Sequence, residues 1–413
     1  MILFDYLIFV ALYLVVGAIV ISIFIVKTGF FKQKFLFFLA LIFRMIVTFA
    51  YYYTTLITYS ADTFTYHGRA QASVGRWSEL FLTTGTQFMS YLTTLVFYPL
   101  VSMFDNTYLM LFVPFSILSF IGSLIFYKAL RQMGIKDSVF LNFFIFFLPN
   151  LVYWTSSIGK DAVVYFAFAW IFLSFVNLKK EIIPSFIKII LLGVLLYFIR
   201  PHIVACFIGA LFFGLFLEKN VLSFKNVAIF IIIFFVFNMV VGKVFQGTDV
   251  EGENLESYTQ AGLGQLQEMG TRSAEDDSQR STIKRQVSSN VLLMPLYAFW
   301  WLTVPYLWQA SKAGHYVAVL DGLIMQYILF YLIWHIKSII ESKGLPYKYF
   351  WIMYSFVAAA VFGMSQSNFG LIVRQRLMVV PFLIVLYLVI RSEKKSPVKI
   401  KKGSIKIDID SIT

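Results

Sequence analysis

Polar residues are scarce in this chain, so the places where several stand together are the first candidates for chemistry. One stretch, Trp154-Thr155-Ser156-Ser157-Ile158-Gly159-Lys160-Asp161, carries three hydroxyls, a glycine, a lysine and a carboxylate between two apolar runs. It reads as a tight turn capping a helix, with free backbone N–H groups and Lys160 facing the same spot. Helix N-termini of this kind hold phosphates, because their N–H groups are unpaired and the helix dipole is positive there. The same residues also read as a capped loop with a local Lys160–Asp161 pair. Three further clusters join this one. Asp62-Thr63-Phe64-Thr65-Tyr66-His67-Gly68-Arg69 follows the second apolar run. Arg200-Pro201-His202 makes a short hairpin between two others, and Ser365–Gly370 precedes Arg374-Gln375-Arg376. On a helix Arg374 and Arg376 point about 200° apart, so at most one faces a given site well.

Together these clusters offer cations, carboxylates and imidazoles for a substrate with a lipid tail, an interfacial diphosphate and a polar head. Arginine and lysine contacts would hold the diphosphate and stabilise its charge as a leaving group. A carboxylate or histidine would take a proton from an attacking hydroxyl. Asp62 is the first choice for that base, with Asp161 and His67 behind it. The expected diphosphate or substrate ligands are Lys160, Arg200, His202, Arg374, Arg376, Arg69, Arg280 and Arg285. Asp62 paired with Arg69, and His67 and His202 as hydrogen-bonded loop residues, are the structural alternatives. Four scattered histidines and one cysteine do not make a soft metal site, so no metal or other cofactor is expected. Arg44 lies within an apolar run with no evident partner, and Asp321 is placed to reach the outer end of its helix.

The elements that must position these groups follow from composition. The 413 residues are 60% hydrophobic and only 13% charged, where a soluble domain is nearer a quarter charged. The apolar residues fall in runs that match a bilayer core of about 30 Å. An all-α polytopic membrane protein is expected, with about 11 transmembrane helices. The expected spans are Leu3–Val26 (read as a retained helix rather than a cleaved leader), Phe35–Tyr59, Tyr108–Tyr127, Val139–Trp154, Ala162–Leu178, Ile182–Ile199, Ile203–Leu217, Val227–Val241, Tyr316–Ile336, Tyr349–Met364 and Phe369–Ile390. Gln87–Phe104 and Val291–Trp308 carry proline and read as two re-entrant or interfacial helices. Residues 1–390 form one transmembrane domain with external loops at 60–107 and 246–315, and 391–413 form a cytoplasmic basic tail.

Most lysines then fall on one side, which the positive-inside rule makes cytoplasmic. The N-terminus is expected outside and the C-terminus inside. The opposite side keeps mostly arginines, against the topological preference, which points to binding rather than topology. The net charge of +13 is read chiefly as topology. No Walker lysine loop, nucleophile elbow or nucleotide-binding strand–helix unit is found, and no nucleic-acid partner is expected.

Asp62 with Tyr66 after an early span resembles the first external loop of the GT-C superfamily of membrane glycosyltransferases. Ser157–Asp161, Arg200-Pro201-His202 and Asn368–Arg376 resemble features of Wzy-type polymerases of bacterial capsule, O-antigen and exopolysaccharide repeat units. The resemblance implies transfer of a polyprenyl-diphosphate-linked glycan to a glycan acceptor at the outer leaflet of the bacterial inner membrane. It implies no metal, with Arg200, Arg374 and Arg376 on the diphosphate. It also implies membrane lipid as surroundings, and a chain-length regulator or other polysaccharide-assembly proteins as partners. Asp62 is followed by Thr63 rather than a second acid, unlike the GT-C acidic pair, and the long outer loop lacks the histidine of a ligase. A flippase or transporter of a lipid-linked oligosaccharide and a membrane O-acyltransferase are the alternative functions.

Overall fold

The computed structural model describes residues 2–58, 62–73, 84–217, 291–310, 313–342, 344–366 and 369–395. Among them the regular structure is helical throughout. In chain order the helices are α1 (Ile2–Thr28), α2 (Lys34–Thr58), α3 (Asp62–Ala72), α4 (Thr86–Leu92), α5 (Thr107–Gln132), α6 (Val139–Asn142), α7 (Pro149–Thr155), α8 (Lys160–Asn177), α9 (Ile182–Ile199), α10 (Pro201–Leu217), α11 (Met294–Thr303), α12 (Ala313–Trp334), α13 (Ile336–Glu341), α14 (Lys348–Ser365), α15 (Phe369–Gln375) and α16 (Val380–Lys395). Single turns of 3₁₀ or π helix join some of them. Expected features at Val227–Val241, most of the external loop 246–315 and the tail beyond residue 395 lie outside the described residues, as do Arg280 and Arg285.

Six of these helices are long and apolar enough to cross a membrane, in α1, α2, α5, α8, α9 and α12. A backbone with every N–H bonded within its own segment is what a bilayer core demands. α5 is the most enclosed, with Phe112, Phe115, Phe120 and Phe126 fully buried. It packs along α8, while α14 lies between α10 and α11. α9 turns Ile183, Leu191 and Val194 outward, and α1 does the same with Leu3, Leu7 and Ile19. Such unbroken apolar faces on single helices fit lipid contact.

Two expected spans are broken in the structure. Val139–Trp154 is not one helix: a π turn covers Phe143–Phe147, and Leu148 then takes an extended ψ of 110° before α7. Proline disfavours the helical backbone in the residue before it and lacks an N–H, so Pro149 starts a new helix. Phe369–Ile390 is likewise two pieces, bent by 54° between Met378 and Val380. Pro381, the second residue of α16, has no N–H to bond back across that break. Tyr349–Met364 and Ile203–Leu217 each form a helix, α14 and α10, outside the six.

The two proline-bearing stretches are helical but segmented. Gln87–Phe104 passes from α4 through a π turn into the 3₁₀ turn Tyr98–Leu100. Val291–Trp308 contains α11, which ends at Val304 ahead of Pro305. An interfacial place for all of its tryptophans is not observed. Trp301 is fully buried against Phe362, while Trp308 is exposed.

Candidate functional site

Four segments distant in sequence meet at one end of the bundle. The first is the Trp154–Asp161 turn. The hydroxyl of Ser157 donates to Trp154 O at 2.8 Å and closes the end of α7. Gly159 has an extended backbone (φ 160°, ψ −171°), and α8 starts at the next residue. Asp161 therefore stands in the first turn of α8, where the helix dipole favours a negative charge. Its side chain is 0% exposed.

The second segment is the α9–α10 corner. Arg200 leaves the helical region (φ −149°, ψ 79°), as expected for a residue before proline, and Pro201 opens α10 where its missing N–H is harmless. This turn directs Arg200 at Asp161, with Nη2 donating to Oδ1 at 2.6 Å. The third segment is α15. Arg374 Nε donates to the other Asp161 oxygen, Oδ2, and its Nη1 donates to Asp62 Oδ2 at 2.9 Å. The Arg374 guanidinium also lies over the Trp154 ring, 5.7 Å from its centroid. Asn150 Nδ2 donates to Val373 O at 3.2 Å and ties α7 to α15 beside it. The fourth segment is α3, which begins at Asp62.

The result is a continuous chain Asp62–Arg374–Asp161–Arg200. A carboxylate with no solvent exposure costs several kcal/mol to bury alone, and the two guanidinium groups offset that cost for Asp161. Asp62, by contrast, is 59% exposed and bonds Arg374 through Oδ2. Lys160 Nζ donates to Thr86 Oγ1 at 3.0 Å next to this chain. With Lys160, three cations face two carboxylates, so one positive charge is in surplus. Burial of Tyr66, with Asp62 beside it, pushes the phenol up to about 12.

The other expected ligands separate from this cluster. Arg376 is the clearest correction. It is fully buried, its Nε donates to Trp301 O at 2.8 Å, and its Nη1 pairs with Asp321 Oδ2 at 3.4 Å. Asp321 is therefore an internal partner, with its side chain 3% exposed, and does not reach an outer vestibule. The near-opposition of Arg374 and Arg376 along the chain is realised as two separate ion pairs. His67 turns towards the start of α5, where its Nε2 hydrogen-bonds Thr107 Oγ1 at 2.8 Å and its ring meets Tyr108 edge-on. Burial pulls its pKa below the ordinary value, which leaves a neutral imidazole at pH 7. His202 packs edge-on against Phe362, with Nε2 buried and unpartnered among the described residues. Arg69 is exposed near the end of α3; Asp62 pairs with Arg374 and not with Arg69.

Thr86 and Arg44 enter the site's support without having been picked out for it. Thr86 follows Gly85, whose φ of +75° is readily available only to glycine. Gly85 N donates to Phe198 O at 2.7 Å, so α4 begins beside the Arg200 corner. Only the glycine hints at this in the sequence. Arg44 is 1% exposed and donates to Ser119 (2.5 Å), Thr155 (3.1 Å) and Ser123 (3.1 Å). Ser123 Oγ in turn lies 3.3 Å from Tyr165 Oη. Arg44 thus reaches both flanks of the Trp154–Asp161 turn, directly at Thr155 and through Ser123 at Tyr165. Chemically, the cluster can hold an anion on its cations and offer Asp62 as a proton acceptor. No protein-family model matches the chain, and neither a curated protein nor a solved structure does, so this geometry is what bears on function.

Proposed function

We propose that the protein is a glycosyltransferase of the outer leaflet that polymerises repeat units of a bacterial surface polysaccharide from a polyprenyl-diphosphate-linked donor. The observation that carries this reading is the meeting of Asp62, Lys160, Asp161, Arg200 and Arg374 from four distant segments at one end of a helical bundle with lipid-suited faces. A site at helix ends lets a lipid tail stay in the bilayer while its diphosphate meets guanidinium groups and its glycan stays in water.

In this reading the acceptor hydroxyl attacks the anomeric carbon of the donor. The bond from that carbon to the diphosphate oxygen breaks, and the diphosphate leaves with the electron pair. Arg200, Arg374 and Lys160 stabilise the charge that grows on it. Asp62, the exposed carboxylate, takes the hydroxyl proton. Cytoplasmic positions for the lysine-rich connections, which the positive-inside rule favours, support a site at the periplasmic or exterior face of the inner membrane.

The test is a length ladder made by the purified protein from a lipid-diphosphate-linked repeat unit. Wild type extends the ladder, and Arg200→Ala lowers its rate by about 100-fold or more, the scale of losing one charge-stabilising group. Wild-type movement of the lipid-linked glycan across liposomes without a ladder would replace this reading with a flippase. An unchanged ladder in Arg200→Ala would remove the diphosphate role from this cluster.

A further inference from the structure

The arrangement that suits a diphosphate is already filled by a carboxylate. Asp161 gives one oxygen to Arg200 and the other to Arg374, and none of its side chain meets solvent. Arg200 is 6% exposed, with Asp161 standing against it. Asp161 thus stands where an anion bridging Arg200 and Arg374 would bind. Arg200 also has donors to spare. Its Nε is buried with no partner among the described residues, and its Nη1 has only Met378 Sδ, at 3.9 Å. A guanidinium with unspent N–H groups gains hydrogen bonds when a second oxygen arrives.

Arg374 offers the way in. Its Nε and Nη1 serve Asp161 and Asp62. Its Nη2 faces Gly159, where an added Cβ would stand 3.7 Å from Nη2 and 3.6 Å from Tyr66 Cε2. Gly159 is itself buried, and its lack of a side chain leaves Nη2 uncovered on that side. Asp62, exposed on the outer side of Arg374, is the second carboxylate an anion would displace.

We infer that Asp161 is the resident counter-ion of this site, and that a diphosphate binds by exchange, taking Arg374 and then Arg200 from it. This rests on the reading of the cluster as a diphosphate site. Exchange makes Asp161 a competitor of the ligand in the resting protein. It also leaves the Asp161 carboxylate without its two guanidinium partners once the donor is bound. The carboxylate then has oxygens to turn towards the acceptor hydroxyl, so donor binding precedes acceptor binding.

The experiment is calorimetric binding of inorganic pyrophosphate to the full-length protein in detergent. Asp161→Asn keeps an acceptor oxygen for Arg200 and removes the competing charge. Exchange predicts binding about tenfold tighter or more than wild type, the scale of one charge-assisted contact. Binding that is weaker or unchanged overturns the proposal, because Asp161 would then be holding the arginines for the ligand. A measurement on the wild type covers a variant that fails to fold. Water-soluble carbodiimide labels free carboxyls, and pyrophosphate should raise labelling of Asp161 in the peptide mass spectrum. Protection or no change of Asp161 overturns the exchange. Neither readout uses polymerisation. Tighter binding by Asp161→Asn with no ladder in the transfer assay would keep the exchange and discard the polymerase.

Discussion

Arg374 is the residue on which the site turns. One planar guanidinium meets two carboxylates from different helices, Asp161 and Asp62, while its face lies over Trp154. Lysine carries the same charge but neither the fork nor the flat face. An ammonium at the end of a flexible stem cannot reproduce two directed contacts and a ring contact together. Arg374→Lys is thus expected to keep the fold and to raise the donor KM about tenfold or more, with a fall in kcat, in ladder kinetics. Equal kinetics for Lys and Arg would mean that charge alone matters at 374, and the bridging geometry would lose its place in the site. Asp161 and Asp62 divide the acidic roles by exposure: one is sealed between two arginines, the other is open to water. That division could not be read from sequence, where both stood as carboxylates near a helix end.

At the scale of elements, Arg44 tests whether α2 sets the position of the Trp154–Asp161 turn. Its hydroxyl partners do not depend on it for hydrogen bonds. Ser119 donates to Ser116 O at 2.9 Å and Thr155 donates to Leu151 O at 2.7 Å, while Ser123 has Tyr165. No carboxylate pairs with Arg44 among the described residues. Replacing a buried ion by an apolar side chain of similar length is often neutral or stabilising when nothing charged is left behind. Arg44→Met is accordingly expected to shift unfolding in detergent by less than about 1 kcal/mol, or to stabilise. Transfer should fall about tenfold or more, because small displacements of reacting groups are costly. A loss of both stability and activity would instead make Arg44 a support of the whole bundle.

The turn itself was legible because an apolar chain has few reasons to place three hydroxyls, a glycine and two charges together. The Arg200-Pro201 corner was legible for the same reason. The breaks within Val139–Trp154 and Phe369–Ile390 were not, because hydropathy is continuous across them. Pro149 and Pro381 carry the signal, through a missing N–H rather than through polarity. Thr86 could not have been found by pattern. Its part depends on where Gly85 lets α4 begin against Phe198, a tertiary contact.

The pairing of Arg376 with Asp321 acts at the scale of the molecule. It joins three parts of the fold: the bend between α15 and α16, the end of α11 through Trp301 O, and the first half of α12. Trp301 Nε1 also donates to Gln366 Oε1 at 2.9 Å at the end of α14. Both charges are sealed, and Asp321 Oδ1 and Arg376 Nη2 are buried without partners among the described residues. An intramembrane ion pair of this kind is expensive to break from one side only. Arg376→Met strands the Asp321 carboxylate and should cost about 3–5 kcal/mol in unfolding by denaturing detergent. Removing both charges in Arg376→Met/Asp321→Leu leaves no stranded ion, and stability should return to within about 1 kcal/mol of wild type. Transfer activity should return with it, since Arg376 contacts neither Asp62 nor Asp161 in this arrangement. If the double variant regains stability while activity stays lost, Arg376 must reach the substrate in another state of the protein. In that case the diphosphate site extends from Arg374 across the bend to α16.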